Sequence, residues 1–361
     1  MSPVNPARIG PYEIVGRIGG GGMARVFLGR KREAGGREQM AALKVIRAEL
    51  ATEEQFVAMF ADESRMLARL DHPNISRTLE IGHGDHLAFI AMELLLGRTL
   101  ADTWEAAQAT GLNLPLDLSA WICAHVARGL HYAHELTDDE GRPFHLVHRD
   151  VNPSNIFLTY TGTVKLFDFG LAKAKGRRAN TQSGIVKGKV PYLSPEQLLQ
   201  LPIDRRSDIF SLGTTLWELT TMRRLFKREN DLATIVAIRD HVVPDPTETA
   251  PDYPKELWRI VQRALAHDRD ERYATAAELA TDLEVFASSA AQAGLEEMVG
   301  VLLDRLFPDE RDRQSKWLAR TASMPAIGEA MTVAPPAPLG SVTDMHDEEF
   351  STVMPLVTRK G

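Results

Sequence analysis

The run Val147-His148-Arg149-Asp150-Val151-Asn152-Pro153-Ser154-Asn155, with Asp168-Phe169-Gly170 beginning thirteen residues later, constrains this chain more than any other feature. Strand signals at 156–158 and 164–167 separate the two polar runs. The pattern therefore places two carboxylates and a carboxamide on adjacent loops. Asp168 and Asn155 offer hard oxygen donors of the kind Mg²⁺ takes. Asp150 can accept a proton from an attacking hydroxyl. Each motif alone is compatible with polar residues capping short turns, but that reading does not explain all of them in this order.

A second feature lies near the start. Ile18-Gly19-Gly20-Gly21-Gly22-Met23-Ala24-Arg25-Val26 sits between two strand signals. A backbone without side chains can fold over a polyphosphate and aim N–H groups at it. Alone the cluster is equally a flexible hairpin. Its context adds Lys44, on the strand signal at 42–46, and Glu63, on the helix expected over 53–70. A lysine drawn out of water needs a partner, and a strand lysine meeting a helix glutamate can hold phosphates. Lys44 as a solvated edge-strand charge is the plainer alternative.

Runs at 12–19, 25–29 and 42–46 read as short strands. After Gly97 the pattern turns helical, at 118–136, 207–220, 255–266 and 275–286. A small β-rich part followed by a larger α-rich part predicts two lobes and a cleft. A further amphipathic helix is expected over 290–307, ended by Pro308, with Leu295, Val299, Leu302 and Leu306 on one face. From Thr321 onward the composition predicts a disordered tail. No apolar run reaches the roughly 18 residues of a membrane span. Cys123 is the only cysteine among 361 residues, which fits a reducing cytoplasm. The net charge of −7 argues against nucleic acid as the main partner.

Taken together, these motifs resemble the eukaryotic-like (Hanks-type) protein kinases, in particular their bacterial serine/threonine members. The resemblance covers residues 12–287. It rests on Gly19-x-Gly21 with Val26, Ala42-x-Lys44, Glu63, His148-Arg149-Asp150, Asn155, Asp168-Phe169-Gly170, Ser194-Pro195-Glu196, Asp208 and Arg272. It implies an α+β bilobal fold, β-rich N-lobe and α-rich C-lobe, that transfers the γ-phosphate of ATP to Ser/Thr hydroxyls of protein substrates. Residues 1–11 then form a lead, 288–320 a helical extension and 321–361 a tail.

By resemblance, Ile18 and Gly19, Gly20, Gly21 and Gly22 cover the nucleotide, and Lys44 holds its phosphates and pairs with Glu63. Val26, Ala42 and Phe157 enclose adenine, Met92 is the gatekeeper, and Glu93 to Leu95 form the hinge. Asn155 and Asp168 hold Mg²⁺, with Mn²⁺ as an alternative ion, and Asp150 is the base. Asp208 braces the catalytic loop, and Glu196 pairs with Arg272. Leu67, Leu87, His148 and Phe169 form an apolar stack between the lobes. The basic segment 173–189 carries Thr181 and Ser183 where relatives carry activation-loop phosphates, which implies autophosphorylation and self-association for it. An acidic patch at 344–350 raises the idea of a tail docking on that basic segment. Two departures stand out. Asn152 replaces the catalytic-loop lysine, and Lys189 replaces the P+1 threonine, so Lys189 is a candidate to supply the missing cation. Both changes weaken inference on serine/threonine against tyrosine preference. A pseudokinase scaffold and a small-molecule phosphotransferase are the competing functions.

Overall fold

A computed structural model describes residues 8–20, 24–33, 36–46, 66–84, 87–169, 190–248, 250–290 and 294–322. The elements begin with β1 (Arg8–Ile9), β2 (Tyr12–Gly20), β3 (Ala24–Arg32), β4 (Glu38–Ile46), β5 (Thr78–Gly84), β6 (Leu87–Glu93) and β7 (Gly97–Thr99). Helices α1 (Leu100–Ala109) and α2 (Leu116–His134) precede β8 (Ile156–Thr159) and β9 (Val164–Leu166). The helices α3 (Pro195–Leu198), α4 (Arg206–Thr221), α5 (Asp231–Arg239), α6 (Lys255–Ala264), α7 (Ala276–Ala290), α8 (Leu295–Leu306) and α9 (Glu310–Ala322) complete the chain.

The N-lobe is a six-stranded sheet in the order β1-β2-β3-β4-β6-β5. Period-two patterning divides its side chains between two faces. One face buries Tyr12, Ile14, Phe27, Leu43, Val45 and Phe89. The other buries Val15, Ile18, Val26 and Leu28. β2 and β3 pair antiparallel up to Gly20 and Arg25. Ile9 is buried and pairs with Tyr12, which brings part of the expected lead into the sheet. Most of the helix expected over 53–70 lies outside the described residues.

The C-lobe is built around α4, where every residue from Ser207 to Leu219 is buried. A helix apolar or satisfied all round belongs in a core. Its hydroxyls are satisfied locally, Ser211 donating to Ser207 O, Thr214 to Phe210 O and Thr215 to Ser211 O. At Gly213 a Cβ would meet Ala264 Cβ at 2.9 Å, so glycine sets how closely α4 approaches α6. α1 is started by a capping box in which Thr99 Oγ1 accepts from Asp102 N at 3.0 Å.

The extension is part of this core. Leu295, Val299 and Leu302 of α8 belong to the C-lobe cluster, as their spacing predicts, while Leu306 packs against it partly buried and Leu303 joins it unpredicted. The sequence reading ends the helical pattern at Pro308, whereas the structure continues into α9. Nearly all of the tail lies outside the described residues.

The predicted Glu196–Arg272 pair is present and bidentate, at 2.8 and 3.1 Å. Ser207 Oγ adds 2.6 Å to Glu196 Oε1, and Arg272 also donates to the carbonyls of Ala266, Arg206 and His267. Burial alone would push the Glu196 carboxyl up, but Arg272 and Ser207 outweigh it and hold it below its ordinary value. Removing one partner of such a pair leaves a buried charge. Arg272→Ala should therefore lose about 3–5 kcal/mol near neutral pH. The pairing stabilises only while Glu196 is ionised, so the deficit should shrink as pH falls through and below 4.5. Thermal melts of both proteins across pH check this.

Candidate active site

Asp208 organises the loop that the sequence singles out. It enters from α4 with its carboxylate fully buried. Oδ2 accepts from His148 N at 2.8 Å and Oδ1 from Arg149 N at 2.8 Å. His134 Nε2 of α2 lies 2.8 Å from Oδ2. Burial would raise the Asp208 carboxyl, but His134 and the loop donors overcome this and hold it low. The clamp matters because Arg149 has φ of 66°, a left-handed conformation that non-glycine residues adopt at a cost of about 1 kcal/mol or more.

His148 extends the clamp. Its Nδ1 accepts from Asp150 N at 3.2 Å, so Nε2 carries the proton and donates to Phe167 O at 3.2 Å. The ring packs on Phe169 with centroids 4.4 Å apart. Two members of the expected stack therefore meet, and Leu67 packs against the cluster that contains Phe169. The Leu87 side chain lies outside the described residues.

Asp150 is buried, and Asn155 Nδ2 donates to both its carbonyl at 2.8 Å and its Oδ2 at 2.9 Å. Using the nitrogen this way leaves the Asn155 amide oxygen, a hard donor suited to Mg²⁺. Phe167 N donates to Asn155 O at 3.1 Å and ties the two polar loops together. Asp168 follows with φ of 61° and pairs with Lys44 Nζ. Its carboxylate and the Asn155 oxygen form a donor set that fits a divalent cation.

On the other side, Ile18 and Val26 share one apolar cluster, with Ala42 packed against it. Met92 pairs with Ala42 across β6 and β4. Glu93, expected as the first hinge residue, bonds Lys165 at 2.7 Å and accepts from Arg77 N at 2.9 Å. Leu95 is partly buried, and Phe157 lies on β8 against Phe167, centroids 6.3 Å apart. Gly19 and Gly20 are in β2. Gly21, Gly22, Glu63, Thr181, Ser183 and Lys189 lie outside the described residues.

Asn152 does more than replace a lysine. Its Oδ1 accepts from Ser154 N at 3.0 Å and its Nδ2 donates to Asp150 O at 2.8 Å. It is buried as the cap of the short turn before Asn155. Sequence reading also passed over Gln197. That residue completes the capping box of α3 with Ser194, while its Nε2 donates to Arg149 O at 3.0 Å. The signal was present as Ser-x-x-Gln, which marks a helix start. Tyr192 was missed too, with its hydroxyl donating to the buried Glu218 at 2.7 Å.

Asp208→Asn would turn an amide N–H toward a backbone N–H. It should cost about 1–3 kcal/mol, and hydrogen exchange should speed up at the His148 and Arg149 amides. Burial also pushes the His148 imidazole below its ordinary value, against the opposing pull of Asp208 and Asp150. An NMR titration should show it protonating at lower pH than an exposed histidine, ordinarily about 6.5. The unfolded chain then binds a proton that the folded one refuses, so this contribution to stability is lost as pH falls below about 6.5.

Comparison with known proteins bears on this geometry. The family described as protein kinase domain matches residues 12–283. The chain is 40% identical over 317 residues to the tyrosine-protein kinase MasK of Myxococcus xanthus, covering 88% of this chain and 49% of that protein. It is 34% identical over 285 residues to a probable serine/threonine-protein kinase PknB of Bifidobacterium longum, 76% of this chain and 39% of that protein. PrkC of Bacillus subtilis, a serine/threonine-protein kinase, is 32% identical over 275 residues, 76% of this chain and 40% of that protein. The chain thus spans half or less of the length of these relatives. The crystal structure of the Mycobacterium tuberculosis PknI kinase domain superposes with a TM-score of 0.57 at 27% identity, covering 77% of this chain and 97% of that one. With the motifs, the bilobal fold and these matches in agreement, the chain belongs to the protein kinase family, among its bacterial Hanks-type members.

Proposed function

We propose that the chain is an ATP-dependent protein kinase that phosphorylates Ser/Thr hydroxyls of protein substrates. The observation that carries this reading is the joint placement of Asp150 on Asn155 and of Lys44 on Asp168, over a loop held by Asp208. Phosphoryl transfer depends on positioning and charge stabilisation. Asp150 takes the proton of the substrate hydroxyl, and Lys44 neutralises phosphate charge. Asn155 and Asp168 hold Mg²⁺, or Mn²⁺ in its place, and the metal supplies charge neutralisation at the phosphates. Ile18, Gly19, Gly20, Gly21, Gly22, Val26, Ala42 and Phe157 cover the nucleotide, with Met92, Glu93 and Leu95 at the adenine edge. Glu63 orients Lys44. Because the Asn152 amide is spent on the turn, a further cation must come from elsewhere, and Lys189 is the residue we assign to it.

The active form self-associates and autophosphorylates Thr181 and Ser183, in the cytoplasm where ATP is supplied. A pseudokinase is disfavoured because Lys44, Glu63, Asp150, Asn155 and Asp168 are all present. A small-molecule phosphotransferase is disfavoured by the Ser194-Pro195-Glu196 platform and its bond to the catalytic loop through Gln197. A second reading, tyrosine as acceptor, is favoured by one observation, the 40% identity to a protein named as a tyrosine kinase.

Incubating the protein with Mg²⁺-ATP and mapping its phosphosites tests all of this. Phosphate on Thr181 and Ser183, lost by about 10²-fold or more in Asp150→Asn, is the expected result. Phosphotyrosine alone would transfer the assignment to the second reading. Undiminished labelling in Asp150→Asn would remove that residue as the base.

A further inference from the structure

The helix α9 lies outside the residues matched by the kinase domain family, yet it is seated on the hinge and on the sheet above the cleft. Glu310, Gln314, Trp317 and Thr321 follow one another at i, i+4, i+7 and i+11, a single helical face, and all four are buried. Each of the first three grips something that borders the nucleotide site. The Glu310 carboxylate pairs with Arg98 at 2.9 Å, with both side chains buried. Gln314 spans both main-chain groups of Gly97. Its Oε1 accepts from Gly97 N at 3.2 Å, and its Nε2 donates to Gly97 O at 3.2 Å. Gly97 follows the hinge and has φ of +156°. A Cβ there would lie 2.0 Å from Leu158 O, so no other residue fits. Arg311 adds a bond to Tyr160 O at 2.9 Å.

Trp317 then reaches the N-lobe. It joins Val15, Ile18, Val26 and Leu28 in one buried cluster, with Met40 and Ala42 packed against it. Ile18, Val26 and Ala42 are the residues assigned above to the nucleotide. The indole Nε1 is buried with no hydrogen-bond partner among the described residues. Such a group costs about 1–3 kcal/mol, so the ring is held there by apolar packing. The similarity to MasK takes in 88% of this chain, a share that residues 1–283 cannot supply, so it runs into this extension.

We propose that α9 is part of the nucleotide site. Trp317 is a positioning residue that sets the adenine ceiling through Ile18, Val26 and Ala42, and Gln314 fixes the peptide that follows the hinge. The proposal rests on the reading of the cleft as an ATP site. It goes beyond it by giving a C-terminal helix control over affinity for the base.

The test uses the full chain, with Mg²⁺-ADP binding followed by calorimetry and the ATP dependence of phosphorylation followed on a generic basic protein. Trp317→Ala should raise both the Kd for Mg²⁺-ADP and the KM for ATP by about ten-fold. Its kcat should stay within about two-fold. Trp317→Phe should restore most of the affinity. Inhibition by tripolyphosphate, which has no base, should be the same in wild type and variant. Val15→Ala loosens the same cluster away from the assigned ceiling, and should lower the melting temperature without moving KM. If Trp317→Ala does not fold, Gln314→Ala leaves the ring in place, and should raise KM by about three-fold. Equal or tighter nucleotide binding by Trp317→Ala, or an equal rise in KM for Val15→Ala, overturns the proposal. Failure of the wild type to bind Mg²⁺-ADP at all overturns the nucleotide reading instead.

Discussion

One buried carboxylate, Asp208, carries the geometry on which the site depends. It collects the amides of His148 and Arg149 just where the chain enters a left-handed turn. An isolated loop would relax out of that turn, since the conformation is unfavourable for an arginine. Asp208 can impose it because α4 is buried from Ser207 to Leu219 and is held by the surrounding core. From there the constraint spreads outward. His148 passes it to Phe167 and Phe169, Asn155 passes it to Asp150, and Gln197 holds the far side of Arg149. The fixed core thus determines where the Asp150 carboxylate and the Asn155 side chain stand.

The two lobes are coupled in a comparable way. The N-lobe Lys44 meets Asp168, which follows β9 of the C-lobe sheet, so a side chain from each lobe shares one ion pair. Glu93, at the end of β6, is itself anchored by Lys165 of β9 and by the Arg77 amide. These links tie the end of β6 to β9, a strand of the other sheet.

Much of this was legible in the sequence because the chemistry is compressed into short motifs. The order of strands and helices and the polar loop from Asp150 to Asn155 follow from residue type and spacing, and the Glu196–Arg272 pair follows from the family resemblance those motifs carry. What was not legible depends on long-range contact. Gln197 looks like an ordinary helix-start residue until its amide is found on Arg149 O. Asn152 reads as a lost lysine, yet it caps a turn. The seating of α9 was not legible because its buried face is Glu, Gln, Trp and Thr, so no aliphatic period marks it. Burial of such a stripe requires partners that a sequence cannot display, here Arg98 and the backbone of Gly97.

The seating of α9 also bears on where this folding unit ends. The match to the kinase domain family stops at residue 283, but the buried core does not. A chain cut there would lose α8 from the C-lobe core and strip the cover from Val15, Ile18, Val26 and Leu28. It would also leave the Arg98 guanidinium without the Glu310 carboxylate. Newly bared apolar surface of this kind promotes self-association. The boundary that the family match draws and the boundary that packing draws are therefore about forty residues apart, in keeping with domains being units of core burial.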